Sequence, residues 1–516
     1  MGQASIKGEY SIEEAHHAVG GSGSKSLLLR GAFTTQEGKL AVTQPLRDHW
    51  SWVTNLRARR TTDVQIDKRH DVHLLGLTSE VYNRIFHATA GDFYGDFSQY
   101  SLAQALQGAQ LELQTNSLVL KAVSGFSQFE DEGRQFMRLN TGGYGEWTVI
   151  HETPAVRDFK VGVGVVNVND VGSSLDNASN VAEVSGQVTS VKTRAMLWNR
   201  VDLEAEAARS WSDEDVTPGT SVPRKNGTAM RLNATAKVTE KSKLRLAYDW
   251  AGARFRSFSG SANPDRLNVT SRLDYKWNSL WSATFNNRVS SDKLDKSTLN
   301  KRTITISPQA SLTWTPLTDS WRVLRDLTSR LYWDARRRLS QEDNSGQTDF
   351  VSHEVGWEND FSTQKLKWTT GWSIRREDDD LSKANDRLVN SGWLGWRYPT
   401  ELFRFKTTPW ARWQFNYENR PKEGGRDLTH TVSFGADTNF SEGLKFQQRY
   451  TVSIADRMAA QSDTTKWNAY LSLEYRLPTR PDLNLSASYE YTNFDHPIKT
   501  EKYSEHNTRV RMLWKF

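Results

Sequence analysis

The chain has 516 residues, with 67 basic against 61 acidic side chains, and its net charge of +6 is too small a bias to imply a nucleic-acid partner. It contains no cysteine, which excludes disulfides, zinc-thiolate sites, iron-sulfur clusters and covalent haem attachment. Twenty Trp, 16 Tyr and 21 Phe accompany a mean hydropathy of only -0.68, and no run of about 18 apolar residues exists to form a membrane-crossing helix.

Residues 1 to 20 lack the basic start and apolar stretch of a signal peptide, so the numbering is expected to begin after processing, with Met1 an added start. Strands are expected near 3–12, 24–34, 49–60, 68–78, 81–90, 108–115, 118–128, 134–152 and 159–169. His16 and His17 fall in an expected loop and read as solvated. In the segment 49–60, Trp52, Thr54, Leu56 and Ala58 share one face and Asn55, Arg57 and Arg59 the other, because strand side chains alternate. His70 and His73 are three apart, which puts them on opposite faces and argues against a shared metal. Residues 91–107 read as a loop.

From about residue 180 the pattern becomes regular. Tight turns near Asn199-Arg200, Thr239-Glu240-Lys241, Asn278-Ser279, Pro316 to Ser320, Ser362-Thr363-Gln364, Tyr398-Pro399-Thr400, Ser441-Glu442-Gly443 and Pro478 to Pro481 recur about every 40 residues. Longer polar loops alternate with them at 213–226, 257–265, 290–301, 341–348, 377–388, 420–426, 456–465 and 495–505. Short turns on one side and long loops on the other is the asymmetry of outer-membrane barrels. The intervening strands alternate cleanly, as in Trp467-Ala469-Leu471-Leu473-Tyr475 and Leu483-Leu485-Ala487-Tyr489-Tyr491, with polar residues between. Each runs about 10 to 12 residues, near the length a tilted strand needs to cross a bilayer.

A transmembrane barrel reconciles many aromatics with low hydropathy, because only every second residue meets lipid while the lumen side is polar. The expected fold is therefore all-β: one transmembrane antiparallel up-and-down β-barrel over residues 1–516, with about 26 strands and 24 as the alternative. A ring that wide needs inward loops, a gate or a partner in its lumen. The modest loops argue for a partner. Lumen-lining candidates are Arg57, Arg59, Arg245, Arg272, Arg412, Glu418, Arg449, Glu474, Arg509 and Arg511, which bias ion selectivity or form Arg-Glu ladders, with Glu204 and Glu206 as further partners. Trp333 to Arg338 reads as a strand end near the interface. The run Glu377 to Asp380 reads as a solvated loop, with divalent-cation binding the less favoured alternative. No nucleophile-base pair or phosphate loop is visible, so an enzyme is not expected; a sparse acid-serine-histidine site stays open.

The final strand places Thr508, Val510, Met512, Trp514 and Phe516 on one face and Arg509, Arg511 and Lys515 on the other. Ending on an aromatic, it resembles the C-terminal signal read by the barrel-insertion machinery of the bacterial outer membrane. Trp467, Leu471, Tyr489, Met512, Trp514 and Phe516 are accordingly the candidate lipid-facing and insertion residues. Within residues 49–114, Trp52-Val53-Thr54-Asn55-Leu56-Arg57, Gly91-Asp92-Phe93-Tyr94 and Leu106-Gln107-Gly108-Ala109-Gln110-Leu111 resemble the early barrel of fimbrial ushers and of type 9 export translocons. Usher-type middle plug and cysteine pair are missing. In architecture the chain also resembles porin-cytochrome conduit barrels. That resemblance implies a structural sleeve around a multihaem partner, any haem being carried by the partner and none by this chain. The expectations are thus an outer-membrane transport conduit with a lumen or periplasmic protein partner, the sleeve as alternative, and a soluble all-β binding protein as the second alternative.

Overall fold

The computed structural model describes residues 3–26, 28–47, 49–67, 71–127, 137–171, 183–213, 224–292, 301–316, 325–342, 348–363, 365–379, 385–421, 424–457 and 463–516. These form one antiparallel sheet closed on itself. Nine strands come first: Ser5–Gly21, Gly31–Pro45, Ser51–Thr61, His73–Tyr82, Phe86–Ser98, Leu102–Gln114, Leu118–Ser127, Met137–Glu152 and Val156–Val171. Seventeen more, from Ser185–Leu197 to Tyr503–Lys515, complete a ring of 26. The three-residue strand Thr400–Leu402 pairs only with the start of Phe405–Arg420 and belongs to a turn.

Alternation makes the wall two-sided. One rung reads Leu244, Leu273, Phe285, Ala310, Trp333, Val355 and Ile374, directly opposite one another across seven strands. The adjoining rung reads Arg245, Arg272, Asn286, Gln309, Asp334, Glu354 and Arg375. The first faces outward and suits hydrocarbon; the second faces the lumen and suits water. Aromatic side chains collect near the short-turn end of the outer face, where Trp281 stacks on Trp314 with centroids 5.9 Å apart and Trp514 sits 4.8 Å from Phe516.

Closure is complete. Ser5–Gly21 pairs with Tyr503–Lys515 from Glu9 opposite Lys515 to Gly21 opposite Tyr503. Beyond that register Gly8 N donates to Phe516 O at 2.6 Å and Phe516 N donates to Gly8 O at 2.9 Å. The Phe516 ring lies over Gly8, where any Cβ would overlap it. The two-residue turn at Trp198 and Asn199 has φ of 49° and 53°, the left-handed pair that matches strand twist in a tight hairpin.

Several sequence expectations are corrected. The segment expected as a strand at 24–34 is a short 3-10 turn, Gly23–Lys25, and the strand opens only at Gly31. The first strand runs on to Gly21, so His16 and His17 are wall residues; His17 is buried, with Nδ1 3.3 Å from Leu29 O and its ring 5.2 Å from that of Phe33. Trp333 to Arg338 lies inside Arg325–Glu342, away from its ends. Glu377 and Asp378 belong to Lys367–Asp379 and make ion pairs with Arg375, Arg387 and Arg376, so they are not a solvated loop. Residues 91–107 and 257–265 fold into the lumen, as described next. His70, Asp380, Gln364, residues 317–320 and much of the long loops lie outside the described residues.

Candidate lumen constriction

One hairpin leaves the wall. Phe86–Ser98 pairs with His73–Tyr82 only from His87 to Gly91, yet pairs with Leu102–Gln114 along nearly its whole length. Leu102–Gln114 in turn joins Leu118–Ser127 only from Leu106 onward. Residues 92–105 therefore bend inward as a two-stranded flap. Gly91 is the hinge point: its φ of 102° is open to glycine alone, and a Cβ there would overlap Leu77 O. The broken edge is capped by Asp92, whose Oδ2 accepts from Leu77 N at 2.6 Å and whose carbonyl accepts from Thr78 Oγ1 at 2.8 Å.

Small residues hollow the inner wall to seat the flap. A Cβ at Gly142 would stand 3.2 Å from the Phe97 ring, and one at Gly164 would stand 3.7 Å from Ser101 Oγ. Phe97, Leu102 and Leu106 pack on Val123, Tyr144, Val166 and Val168. Tyr100 packs with Val188, Ala208, Ala229, Ala251 and Phe255, its ring 5.6 Å from that of Phe255. Phe97 is 4% exposed and Tyr100 and Phe255 are 0% exposed, so each ring stabilises the seated state by about 2–3 kcal/mol.

The segment after Ser242–Ala251 folds in over the tip as a clasp. Ala103 N donates to Ser259 O at 2.9 Å and Ser261 N donates to Gln99 O at 3.0 Å. Ser259 Oγ and Gln104 Nε2 both donate to Asn140 Oδ1, at 2.5 and 2.9 Å, and Arg256 N donates to Ser210 Oγ at 3.0 Å. At the tip the Tyr100 hydroxyl donates to Asp249 Oδ1 at 2.7 Å and lies 2.8 Å from Met230 O, while Gln99 Nε2 donates to Asp249 Oδ2 at 3.0 Å. Burial, reinforced by the Asp249 carboxylate, pushes the Tyr100 phenol's pKa up, so it remains a neutral donor. Ser190 Oγ on the wall is 3.3 Å from Ser101 Oγ.

All ten lumen candidates lie on the face that receives this flap. Arg57 Nε pairs with Glu37 at 2.9 Å, Arg59 with Asp67 at 3.6 Å, and Arg245 and Arg272 share Asp274 at 3.6 and 2.9 Å. Glu418 pairs with Arg420 at 2.8 Å and Arg387 at 3.6 Å, Glu474 accepts from Asn484 at 2.8 Å, and Arg509 is 4.0 Å from Glu13. Arg412 lies over Trp393 and Arg449 over Tyr470, at 5.9 and 5.2 Å. Arg511 stands opposite Glu13 and Ser486. Glu204 pairs with Lys192 at 3.7 Å, and Glu206 is buried at the flap. Trp467, Leu471, Tyr489, Met512, Trp514 and Phe516 take the opposite face. The residues that build the constriction, Tyr100, Asn140, Asp249, Phe255 and Ser259, were not singled out by sequence. The available signal was apolar: Phe93 and Phe97 are out of place in the loop expected at 91–107, as is Phe258 in that expected at 257–265.

No protein-family model and no curated protein matches the chain. Among solved structures it is similar to the P pilus usher PapC translocation pore, at 10% identity over 98% of this chain and 99% of that one, with a TM-score of 0.34. It is also similar to the ferric enterobactin receptor PfeA of Pseudomonas aeruginosa, at 11% identity over 99% and 80% with a TM-score of 0.44. Pseudomonas aeruginosa OpdO matches at 11% identity over 99% and 97%, with a TM-score of 0.28.

Proposed function

We propose that this chain is a wide bacterial outer-membrane conduit whose lumen is narrowed by its own hairpin, held by the clasp, and that it passes solute or polymer when the flap shifts. The observation that carries the reading is the flap itself: a closed ring of 26 strands with a charged inner face and a segment of the chain seated inside it. A ring of that size leaves an aqueous channel unless something occupies it. The flap supplies part of that occupant. A sleeve packed around a partner protein is less favoured, because the partner would meet residues 92–105 in the space it needs.

The chain has no cysteine, so an engineered pair is clean. Ser101→Cys with Ser190→Cys replaces two hydroxyls 3.3 Å apart and should tie flap to wall when oxidised. In planar bilayers the wild-type protein is expected to show step changes between conductance levels. In the double variant these steps should vanish on oxidation and return with reductant. A purified, folded barrel that carries no ionic current in either redox state would refute the conduit, and a haem protein recovered in equal amount on gentle extraction would establish the sleeve.

A further inference from the structure

On the wall strands Lys367–Asp379, Arg387–Arg397, Phe405–Arg420 and Gly425–Asn439, the lumen face is divided by charge. Toward the long loops every cation has a counter-ion: Arg375 and Arg387 on Glu377, Arg387 and Arg420 on Glu418, Arg420 on Asp427. Toward the short turns the cations have none among the described residues. Lys367 stands directly opposite Arg397, a like-charge cross-strand pair that costs stability by itself. Arg397 stands opposite Trp410, and Arg412 stands opposite Gly395 one rung on.

Glycines make room for the side chains here. Gly435 stands opposite Trp410, where a Cβ would stand 3.0 Å from the indole, and Gly395 stands opposite Arg412, where a Cβ would stand 2.9 Å from Thr369 Oγ1. Lys367, Arg397, Arg412 and Trp410, with Thr369, Gly395, Trp396 and Ala411, line a cleft of about 290 Å³. That is near the lower end of the range for small-molecule sites. Asp360, opposite Thr369, and Asp437, opposite Thr408, are carboxylates on this face, and among the ion pairs of the described residues neither is joined to the three cations.

A stabilising ladder explains the upper half of this wall and fails for the lower, where unpaired positive charge surrounds a flat aromatic face. We infer that this cleft is a binding subsite for a carboxylate carried on a six-membered ring, as in a uronic acid. The guanidinium groups of Arg397 and Arg412 grip the carboxylate, with Lys367 adding charge, and Trp410 stacks on the ring. The inference rests on the reading that solute enters the lumen, and names the class of solute.

Equilibrium binding to the detergent-solubilised barrel tests it without requiring transport. Glucuronate supplies charge and ring, acetate charge alone, and glucose ring alone. Glucuronate is expected to bind at least tenfold tighter than either. Arg397→Gln and Arg412→Gln should each weaken it about tenfold, Arg397→Lys by less, and Trp410→Leu should reduce the glucuronate advantage over acetate. Arg57→Gln, on the far wall, should change nothing. Equal binding of acetate and glucuronate would overturn the ring site in favour of a bare anion patch. Absence of glucuronate binding in a barrel that conducts would overturn the subsite and leave the conduit standing.

Discussion

At the scale of single residues the constriction depends on positions that tolerate little change. Gly91 combines a left-handed φ of 102° with contact against the Leu77 carbonyl, so any side chain must undo the bend or push the neighbouring strand away. Gly91→Val is expected to fold as a barrel but fail to seat the flap. The check is the yield of the 101–190 disulfide, which should fall severalfold from that of the same pair on the glycine background. Tyr100→Phe makes a milder change. It removes the donor from Asp249 while keeping the buried ring, and should cost the seated state about 1–3 kcal/mol. Proteolysis of the flap in the folded barrel should then be faster by roughly tenfold.

At the scale of elements, the two faces of each strand answer to different solvents. Leu273 and Arg272 are neighbours in sequence, yet the first belongs to the outer rung and the second to the inner. Leu273→Arg places a charge against hydrocarbon and should cost about 2–4 kcal/mol near mid-bilayer. Gln309→Arg, facing water and standing opposite Asp334, should cost little. Urea titration of refolding into vesicles separates the two outcomes. The seam offers a second case: Phe516→Ala uncovers Gly8 at the closing pair, and should lower assembly yield measured by heat-modifiable mobility on gels.

The wall was legible in sequence because its alternation is local, each strand carrying its own period of two. The flap was not. Gly91-Asp92, Gly95 and the serines at 98 and 101 read as loop chemistry, and what folds them is contact between residues as distant as Gln99 and Asp249, 150 positions apart. Nor could the cleft at Trp410 be read: Arg412 appeared as one lumen cation among many, and only the register showed Lys367 and Arg397 facing each other without a carboxylate between.

At the scale of the whole molecule, ring size and lumen content pull in opposite directions. Strand number sets the width of the barrel, and an unobstructed ring of 26 would breach the membrane it spans. The seated flap and clasp reduce that opening from one side, anchored by three buried rings and the hydrogen bonds around Asn140 and Asp249. On the proposed reading the flap, rather than the strand count, sets the free cross-section, and uncharged polymers can measure it. Polyethylene glycols of increasing size, added to both sides of a bilayer, depress conductance only while they enter the pore. The oxidised Ser101→Cys, Ser190→Cys barrel should give one sharp size cut-off. The reduced form, in which the flap can leave its seat, should admit larger polymers in its high-conductance level. Identical cut-offs in the two states would mean that the flap does not limit the opening, and the width would then have to be set elsewhere in the ring.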